Sequence, residues 1–279
     1  FSERSLHENG QFQKSMDLLE QSGYLVKRDG AIWFTSTKFG DDEDKVFVRS
    51  NGSPTYFATD VAYHYNKFLE RHFDRVINIL GADHQGHVRF MKTVPHAIGV
   101  DENRLELIIY QLVTLKRGST PIRASKRTGN IISLREVLDE VGADACRYFF
   151  LTRSPQSQME FDLDLAKAHS SENPAYYVQY AHARISSILR VAEERKINFS
   201  CGDLSLIQHE KELELVKKLL EFPEIIELMA RNLEPQLLPH YTSGLATTFH
   251  AFYEKCRIVS SISGEESITK ARLKLIEAT

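Results

Sequence analysis

Residues 75–87 read RVINILGADHQGH, and this stretch decides the fold of the chain. Its first part is an apolar run rich in β-branched side chains that ends at Gly81, as expected of a buried strand. Helical periodicity precedes the run over residues 57–72 and follows it over residues 86–98. Helix, strand, glycine turn and helix in this order indicate an α/β domain with a parallel sheet.

The alternation continues on both sides of this stretch. A second β-like run covers residues 107–115, which completes the pattern of a Rossmann-type half-domain. On the N-terminal side we predict a helix over residues 11–21 and short strands over residues 31–34 and 46–48. The acidic run DDED, residues 41–44, has the composition of a solvated loop.

The second half of the chain has a different periodicity. Beyond Pro155 we predict no further strand, and the pattern is that of an all-α helical bundle. The predicted helices cover residues 173–196, 210–220, 223–233, 242–263 and 268–278. The predicted domains are residues 1–153, with 1–50 as an insertion-like segment, a connector over 154–172, and a helical domain over 173–279 whose pattern is unfinished at the C-terminus.

Composition restricts the class of protein. The 279 residues are 42% hydrophobic, which suffices for one or two buried cores. No run of apolar residues approaches the eighteen that a membrane-spanning helix needs, so we expect no membrane contact. The N-terminus at Phe1 has neither a signal-peptide pattern nor an initiator methionine, so we expect a piece of a longer protein. Three separated cysteines form no CxxC pair, which favours a reducing cytoplasm. The net charge of -3 offers nucleic acid no general attraction, so RNA contacts would need local patches.

The segment TYFATDVAYHYNK, residues 55–67, holds the first candidate site. Tyr56 and Asp60 are four residues apart and share one face of the predicted helix. A carboxylate accepts two parallel N–H bonds from a guanidinium while a tyrosine closes the rim, so the pair suits arginine better than lysine or citrulline. The alternative is the start of a helix with ordinary core aromatics.

The turn GADHQGH, residues 81–87, holds the second candidate site. It follows a strand, where open α/β sheets bind ligands, and it opens a helix, whose free N–H groups attract anions. His84 and His87 are placed to contact ribose or adenine. Two alternatives stay open: a metal site made of Asp83, His84 and His87, and an aspartate cap beside surface histidines.

The basic loop PIRASKRTGN, residues 121–130, holds the third candidate site. Arg123, Lys126 and Arg127 can neutralise the charge that grows on a leaving pyrophosphate, and Ser125 can add a hydrogen bond. A plain basic surface loop would look similar.

The fourth candidate site is NPAYYVQYAHAR, residues 173–184, at the start of the helical domain. Tyr176, Tyr180 and Arg184 recur there at helical spacing. Aromatic rings stack on unpaired bases and arginines reach phosphates, so this face suits single-stranded RNA. The same stripe would also fit a helical core, which is where we expect Tyr177 and Ile185.

Taken together, in this order and spacing, the four segments resemble arginyl-tRNA synthetases over nearly the whole chain. The loop RASKR, residues 123–127, resembles the class I KMSKS element, with Ser125 and Lys126 matching and Ala124 in place of methionine. Arg123 and Arg127 depart from that element. GADACRY, residues 142–148, resembles the junction to the anticodon-binding domain, and residues 173–184 resemble the first helix of that domain.

The resemblance implies a role for each candidate residue. The implied arginine site is Tyr56, Asp60 and His84. The implied ATP site is Asp83, His84, His87 and Lys126, and the implied catalytic residues are Lys126, Ser125 and Arg123. The implied tRNA contacts are Tyr180 and Arg184. The intact enzyme would activate arginine with ATP and Mg to arginyl-adenylate and transfer it to tRNA(Arg), with neither a resident metal nor a tightly bound cofactor. We expect a monomer.

One departure limits this expectation. Class I enzymes also need a HIGH element, and HQGH at residues 84–87 is no substitute because it lies inside the GADHQGH turn. We therefore expect the isolated chain to catalyse little. Two rival interpretations stay open: another class I synthetase, for cysteine or methionine, and a synthetase-derived RNA-binding or assembly module without catalysis.

Overall fold

The computed structural model describes residues 1–122 and 132–279, which separate into two units, Phe1–Leu112 and Val113–Thr279. The domain boundaries predicted at residues 153 and 172 follow a change in sequence pattern, and they stay a prediction. The predicted fold class, a parallel α/β half-domain followed by a helical bundle, is confirmed.

The first unit begins with two helices and a small antiparallel sheet. Helices α1 (Arg4–Glu8) and α2 (Gln11–Gln21) precede strands β1 (Leu25–Arg28), β2 (Ala31–Phe34) and β3 (Lys45–Val48), which pair in the order β1-β2-β3. Strand β1 is not among the predicted strands, although the dipeptide Asp29-Gly30 that follows it is a sequence signal for a hairpin turn. In the structure both residues have positive φ, 48° and 74°, as a tight hairpin turn of this kind requires.

A helix and a parallel strand pair complete the first unit. Helix α3 (Tyr56–Tyr65) runs into a π-helical turn (Asn66–Glu70), and β4 (Val76–Gly81) follows it. A 3-10 turn (Ala82–His87) leads into α4 (Val88–Ala97), and β5 (Leu105–Tyr110) pairs in parallel with β4. Gly81 pairs with Tyr110, so both strands end at the same edge of the sheet.

One aromatic core holds the first unit together. Phe34, Phe47 and Phe90 are fully buried, and their ring centroids lie 4.9 Å (Phe34 to Phe47) and 6.2 Å (Phe47 to Phe90) apart. These rings come from β2, β3 and α4. Residues 1–50 therefore share one core with the α/β part of the unit.

The acidic loop between β2 and β3 is solvated only in part: the side chains of Asp42 and Glu43 are exposed, as predicted, and those of Asp41 and Asp44 are not. The side chain of Asp41 is buried and accepts a hydrogen bond from Ser36 Oγ at 3.0 Å. Asp44 accepts one from Thr37 Oγ1 at 2.7 Å and pairs with Arg28 at 3.0 Å. Burial disfavours the charge on Asp44, but these partners outweigh it and hold the pKa of Asp44 below its ordinary value.

The second unit begins with a small mixed sheet. Strands β6 (Val113–Arg117) and β7 (Thr120–Pro121) are followed by helices α5 (Leu134–Val141) and α6 (Ala143–Leu151), then by β8 (Met159–Asp162) and α7 (Leu163–Lys167). The strand order is β7-β6-β8, with β6 and β8 parallel. The single strand predicted over residues 107–115 is therefore two strands, because Gln111 and Leu112 separate β5 from β6.

The prediction that no strand follows Pro155 is also wrong. Met159 and Phe161 in β8 are buried, and Glu160 between them is exposed, which is the alternation of a half-buried strand. Four residues are too few to distinguish this pattern from a loop. Only the pairing with β6 makes it a strand.

Five helices form the predicted bundle: α8 (Pro174–Glu194), α9 (Glu210–Leu220), α10 (Phe222–Asn232), α11 (Leu237–Lys255) and α12 (Glu266–Glu277). The helix predicted over residues 242–263 is shifted, because α11 begins earlier. Pro239 lies in the first turn of α11, where a missing N–H breaks no helical hydrogen bond. No helix within residues 1–122 and 132–279 has the length and apolarity needed to cross a membrane.

We predict that Asn173→Ala destabilises the second unit. The buried Asn173 side chain accepts hydrogen bonds from the backbone N–H groups of Ala175 and Tyr176 and donates to the carbonyls of Ala166 and Ala168. The variant loses the cap of α8 and leaves two carbonyls without this donor. The free energy of unfolding, measured by urea titration followed by circular dichroism, should fall by about 3 kcal/mol.

Ser133→Ala is the matched control. Ser133 caps α5 through an exposed capping box with Glu136. Its loss should cost about 1 kcal/mol. Equal losses for the two variants would contradict the structural role assigned to Asn173.

Candidate functional site

The first two candidate segments lie beside one cavity of about 670 Å³. Tyr56 and Asp60 project from the first two turns of α3, and Asp83, His84 and His87 project from the turn after β4. The structure therefore brings all five predicted residues together at the carboxyl end of β4. That end of an open α/β sheet is where ligands bind.

The Asp60 carboxylate is held by His87. Asp60 Oδ2 lies 2.8 Å from His87 Nε2, and the Asp60 side chain remains 31% exposed. An ionised carboxylate only accepts, so the Nε2 of His87 carries the proton. A carboxylate offers about four lone-pair sites, so the bond to His87 leaves room for two parallel N–H groups of a planar cation.

Aromatic rings form the wall beside this pair. The ring of His87 lies 5.4 Å from that of Tyr56 and 5.2 Å from that of Phe57, centroid to centroid. Tyr56 is exposed at the rim. The sequence analysis assigns His87 to ATP, and the structure adds that this ring also orients Asp60.

Two charged residues that were not predicted as site residues also line the cavity. Glu43 and Lys45 reach it from the start of β3, with their charged atoms 3.0 Å apart, and Lys45 Nζ lies 5.5 Å from the ring centroid of Phe57. The only local signal is a single lysine at the end of an acidic run. Nothing in the nearby sequence shows that this segment returns to α3.

Three part-buried hydrogen bonds link the backbone of Asp60 to β4. The ring of His64 is buried, with Nδ1 2.7 Å from the backbone carbonyl oxygen of Asp60 and Nε2 2.8 Å from Asn78 Nδ2. Asn78 Oδ1 accepts from Lys67 Nζ at 3.0 Å. Because a carbonyl only accepts, His64 donates from Nδ1 and accepts at Nε2.

These hydrogen bonds tie α3 to the middle of β4. The network of His64, Asn78 and Lys67 was not predicted. The signal for it is Asn78, a polar residue inside an apolar strand, because such a residue needs a hydrogen-bond partner. Burial, and next the positive charge of Lys67, lower the pKa of His64 to about 4. The ring is therefore neutral, with its proton on the nitrogen that faces Asp60.

The third candidate site lies outside the described residues. Arg123, Ser125 and Lys126 belong to the stretch 123–131, between β7 and the capping box of α5. Their predicted roles stay predictions.

The fourth candidate site is a face of α8 beside a cavity of about 480 Å³. The rings of Tyr176 and Tyr180 are nearly parallel, with centroids 6.3 Å apart. Tyr177 and Ile185 pack against the core of the bundle, as predicted. The guanidinium of Arg184 forms a hydrogen bond within the protein, donating to the Tyr180 hydroxyl at 2.6 Å.

The metal alternative has no geometric support in the described parts of the chain. There, no three His, Cys, Asp or Glu side chains come close enough to hold a metal ion. Asp83 and His84 are adjacent, with Oδ2 and Nε2 3.7 Å apart, and both are exposed. Cys146, Cys201 and Cys256 are free thiols.

A parallel α/β unit can bind a small ligand at its strand ends, and a tyrosine-rich helical face can stack on unpaired bases. Residues 3–157 match the family "tRNA synthetases class I (R), catalytic domain", and residues 178–279 match "DALR anticodon binding domain". The chain belongs to this class I (R) synthetase family. The family assignment excludes the rival assignments to cysteine and methionine enzymes.

The relatives point to the same family. The chain is 58% identical over 279 residues to an arginine–tRNA ligase from Dehalococcoides mccartyi and 52% identical over 283 residues to one from Desulfitobacterium hafniense. Each alignment covers 100% of this chain and 50% of the relative. The chain thus spans about half the length of the curated relatives it matches.

Solved structures agree with the fold. An arginyl-tRNA synthetase structure from Campylobacter jejuni superposes with a TM-score of 0.86 at 31% identity, covering 100% of this chain and 60% of that one. The arginyl-tRNA synthetase from Thermus thermophilus has a TM-score of 0.81 at 21% identity, covering 98% of this chain and 55% of that one. At 21% identity, the comparison with the Thermus thermophilus structure shows a similar fold and no more.

We predict that His64 makes the first unit sensitive to acid. The ring takes up a proton near pH 6.5 when the chain is unfolded but only near pH 4 when it is folded. The stability it contributes is therefore complete above pH 6.5 and is lost as the pH falls from 6.5 to 4. Relative to His64→Gln, the unmodified chain should lose on the order of 3 kcal/mol more over this window.

The fluorescence of Trp33 measures this effect, because it is the single tryptophan of the chain and lies in β2. Urea titrations between pH 7.5 and 4 would give the free energy of unfolding of both proteins. Parallel pH profiles would contradict the prediction. A direct titration of the His64 ring by NMR in the unmodified chain covers the case in which the variant does not fold.

Proposed function

We propose that this chain is the part of an arginine–tRNA ligase that binds the arginine side chain and carries an anticodon-binding domain. The complete enzyme would activate arginine with MgATP to arginyl-adenylate and transfer the arginyl group to tRNA(Arg). One observation carries the proposal: the Asp60 carboxylate is fixed by His87 and still opens to a cavity beside Tyr56. The cytoplasm as compartment and a monomer as the oligomeric state belong to the same proposal.

The charge of the cavity supports a cationic substrate. Among residues 1–122 and 132–279, three carboxylates line it, from Glu43, Asp60 and Asp83, against one lysine cation, that of Lys45. A negative, partly enclosed cavity concentrates cations. A guanidinium satisfies Asp60 through two parallel N–H bonds, whereas neutral citrulline leaves the carboxylate without a charge partner.

The other site residues have proposed roles in the same reaction. Asp83, His84 and His87 would face the nucleotide and the adenylate, with His84 also near the arginine side chain. Arg123, Ser125 and Lys126 would neutralise the leaving pyrophosphate. These groups act by positioning and by charge stabilisation, and none of them needs to form a covalent bond to substrate.

The sheet of the first unit supports the idea that the complete catalytic domain is larger. Ile77 and Ile79 in β4 are exposed, Ile79 by 65%. Parallel sheets are normally covered on both faces, because their strands are apolar on both sides. We infer that the remainder of the class I catalytic domain covers this face, and that this chain alone binds parts of the substrates and catalyses little.

We predict that Asp60→Asn, in a full-length protein that contains this chain, damages the use of arginine far more than the use of ATP. Removing the charge that pairs with the guanidinium should lower kcat/KM for arginine about 100-fold or more, with the KM for ATP changed less than about threefold. Arginine-dependent pyrophosphate exchange measures both. In the same assay the isolated 279-residue chain should show almost no exchange.

Asp83→Asn is the matched control. Asp83 lines the same cavity, but its side chain is 72% exposed and no arginine contact is proposed for it. Because Asp83 would face the nucleotide, any loss in this variant should affect the use of ATP at least as much as the use of arginine. Equal losses for arginine and ATP in Asp60→Asn would remove Asp60 from the guanidinium site.

We predict that the isolated chain prefers arginine tRNA over an unrelated tRNA. The tyrosine-rich face lies within this chain, so its binding of tRNA can be measured whatever the catalytic activity of the chain. Dissociation constants across a salt series separate base contacts from phosphate contacts, because only the latter set the salt slope. Equal and strongly salt-dependent binding of both tRNAs would leave a nonspecific RNA surface, which is the behaviour expected of a module derived from a synthetase.

A further inference from the structure

Lys67 lies at one end of the network of His64 and Asn78, and its ammonium is held from two sides. The residue belongs to the π-helical turn Asn66–Glu70 that continues α3. Its Nζ donates to Asn78 Oδ1 at 3.0 Å and lies 4.0 Å from the ring centroid of Tyr63. Turns of this kind occur frequently at functional sites, so the role of Lys67 needs an explanation.

Lys67 fixes the direction of every hydrogen bond in this network. An ammonium donates and does not accept, so the oxygen of the Asn78 amide faces Lys67 and the amide nitrogen faces His64. The His64 Nε2, 2.8 Å from that nitrogen, therefore accepts, and the ring proton sits on Nδ1. Nδ1 in turn donates to the backbone carbonyl of Asp60 at 2.7 Å. The hydrogen bonds thus run in one direction, from the ammonium of Lys67 to the carbonyl of Asp60.

The same arrangement keeps a second proton off His64. A protonated ring would point its Nε2–H at the N–H groups of the Asn78 amide, and two donors form no hydrogen bond. The amide accepts from such a ring only if its oxygen turns away from Lys67. Burial and the positive charge of Lys67 lower the pKa of His64, and Asp60 opposes them. In the described parts of the chain, the charged groups that shift this pKa are Lys67 and Asp60, and β4 contributes the neutral amide of Asn78.

The state of His64 affects the candidate arginine site, because the ring is bonded to a site residue. It holds the backbone of Asp60, whose carboxylate is fixed by His87 and lines the cavity. A proton on His64 would put a second positive charge near the carboxylate that is to pair with a guanidinium. A turned Asn78 amide would change the support of the ring itself. Misplacing a binding group by about 1 Å can cost on the order of 100-fold in rate.

We propose that Lys67 is a positioning residue for the arginine side chain: by fixing the Asn78 amide, it keeps His64 neutral and bonded to the backbone of Asp60, so that the Asp60 carboxylate stays in place for a guanidinium. Lys67 does not line the cavity and acts only through these residues. The inference rests on the proposed function, because Asp60 is the proposed guanidinium ligand.

Lys67→Met tests this role in a full-length protein that contains this chain. Methionine has a similar length but neither a charge nor an N–H donor, so the Asn78 amide loses the partner that orients it. At about pH 7.5, kcat/KM for arginine should fall about tenfold, mainly through a higher KM, with the KM for ATP changed less than about threefold. Lys67→Arg keeps a cation and donors beside Tyr63 and should stay within about threefold of the unmodified protein.

Lys14→Met is the matched control. Lys14 pairs with Glu70 in the same π-helical turn, at 2.8 Å, and its side chain is 56% exposed. That ion pair lies outside the network of His64 and Asn78. Because exposed ion pairs contribute little to stability, this variant should use arginine as the unmodified protein does.

The protonation of His64 supplies a measurement that a merely structural role would not change. With a pKa of about 4, the ring of the unmodified protein stays neutral between pH 7.5 and 6, and nitrogen NMR of labelled histidine should show a proton on Nδ1 and none on Nε2. In Lys67→Met the amide can turn and the repulsion is gone, so the ring should titrate at a higher pH. The loss in kcat/KM for arginine should then deepen as the pH falls over this range. The ratio of variant to unmodified protein cancels the titration of His87, which both contain.

Each result supports or overturns the inference. Equal losses for arginine and ATP in Asp60→Asn overturn the proposed function and this inference with it. A selective loss in Asp60→Asn, together with an unchanged kcat/KM for arginine in Lys67→Met, overturns this inference alone. So do equal losses in Lys67→Met and Lys14→Met, or a pH profile of Lys67→Met parallel to that of the unmodified protein. A proton on His64 Nε2 in the unmodified protein also overturns it, and that measurement depends on no variant that has to fold.

Discussion

The hydrogen bond between His64 and Asn78 sets the position of α3 on β4, and the candidate arginine site depends on that position. The His64 ring is buried and needs partners for both nitrogens, and the half-buried amide of Asn78 supplies one of them from β4. The same ring holds the backbone carbonyl of Asp60. The carboxylate of Asp60 therefore lies at the strand end, within hydrogen-bond reach of His87.

The two candidate sites use histidine in a similar way. In the first unit, the ring of His64 is neutral, its tautomer is dictated by a carbonyl, and both nitrogens are used. In the second unit, the tautomer of His250 is dictated by Arg184, and the other ring nitrogen is buried without a partner among the described residues.

Long, strongly periodic elements were predictable from the sequence, and short ones that depend on pairing were not. The bounds of α2 and α9 follow from apolar spacing. β8 has four residues and becomes a strand only through β6, and the acidic loop is ordered only because Ser36, Thr37 and Arg28 are near it in space. Periodicity reports which face of an element is buried. It carries no information about which distant partner will satisfy a charge or a strand edge.

The sequence by itself determined the class of fold and the segments that hold the candidate site residues, because these depend on local patterns: a glycine-ended apolar strand, a tyrosine and an aspartate one helical turn apart, and tyrosines at helical spacing. The family followed from the resemblance of four such segments taken together. Only the tertiary structure decided that His87 orients Asp60, that Glu43 and Lys45 line the same cavity, and that Arg184 bonds to His250. The two hydrogen bonds join residues 27 and 66 positions apart, His87 with Asp60 and Arg184 with His250. Such contacts are decided by how the helices and strands pack, and the local sequence does not contain that packing.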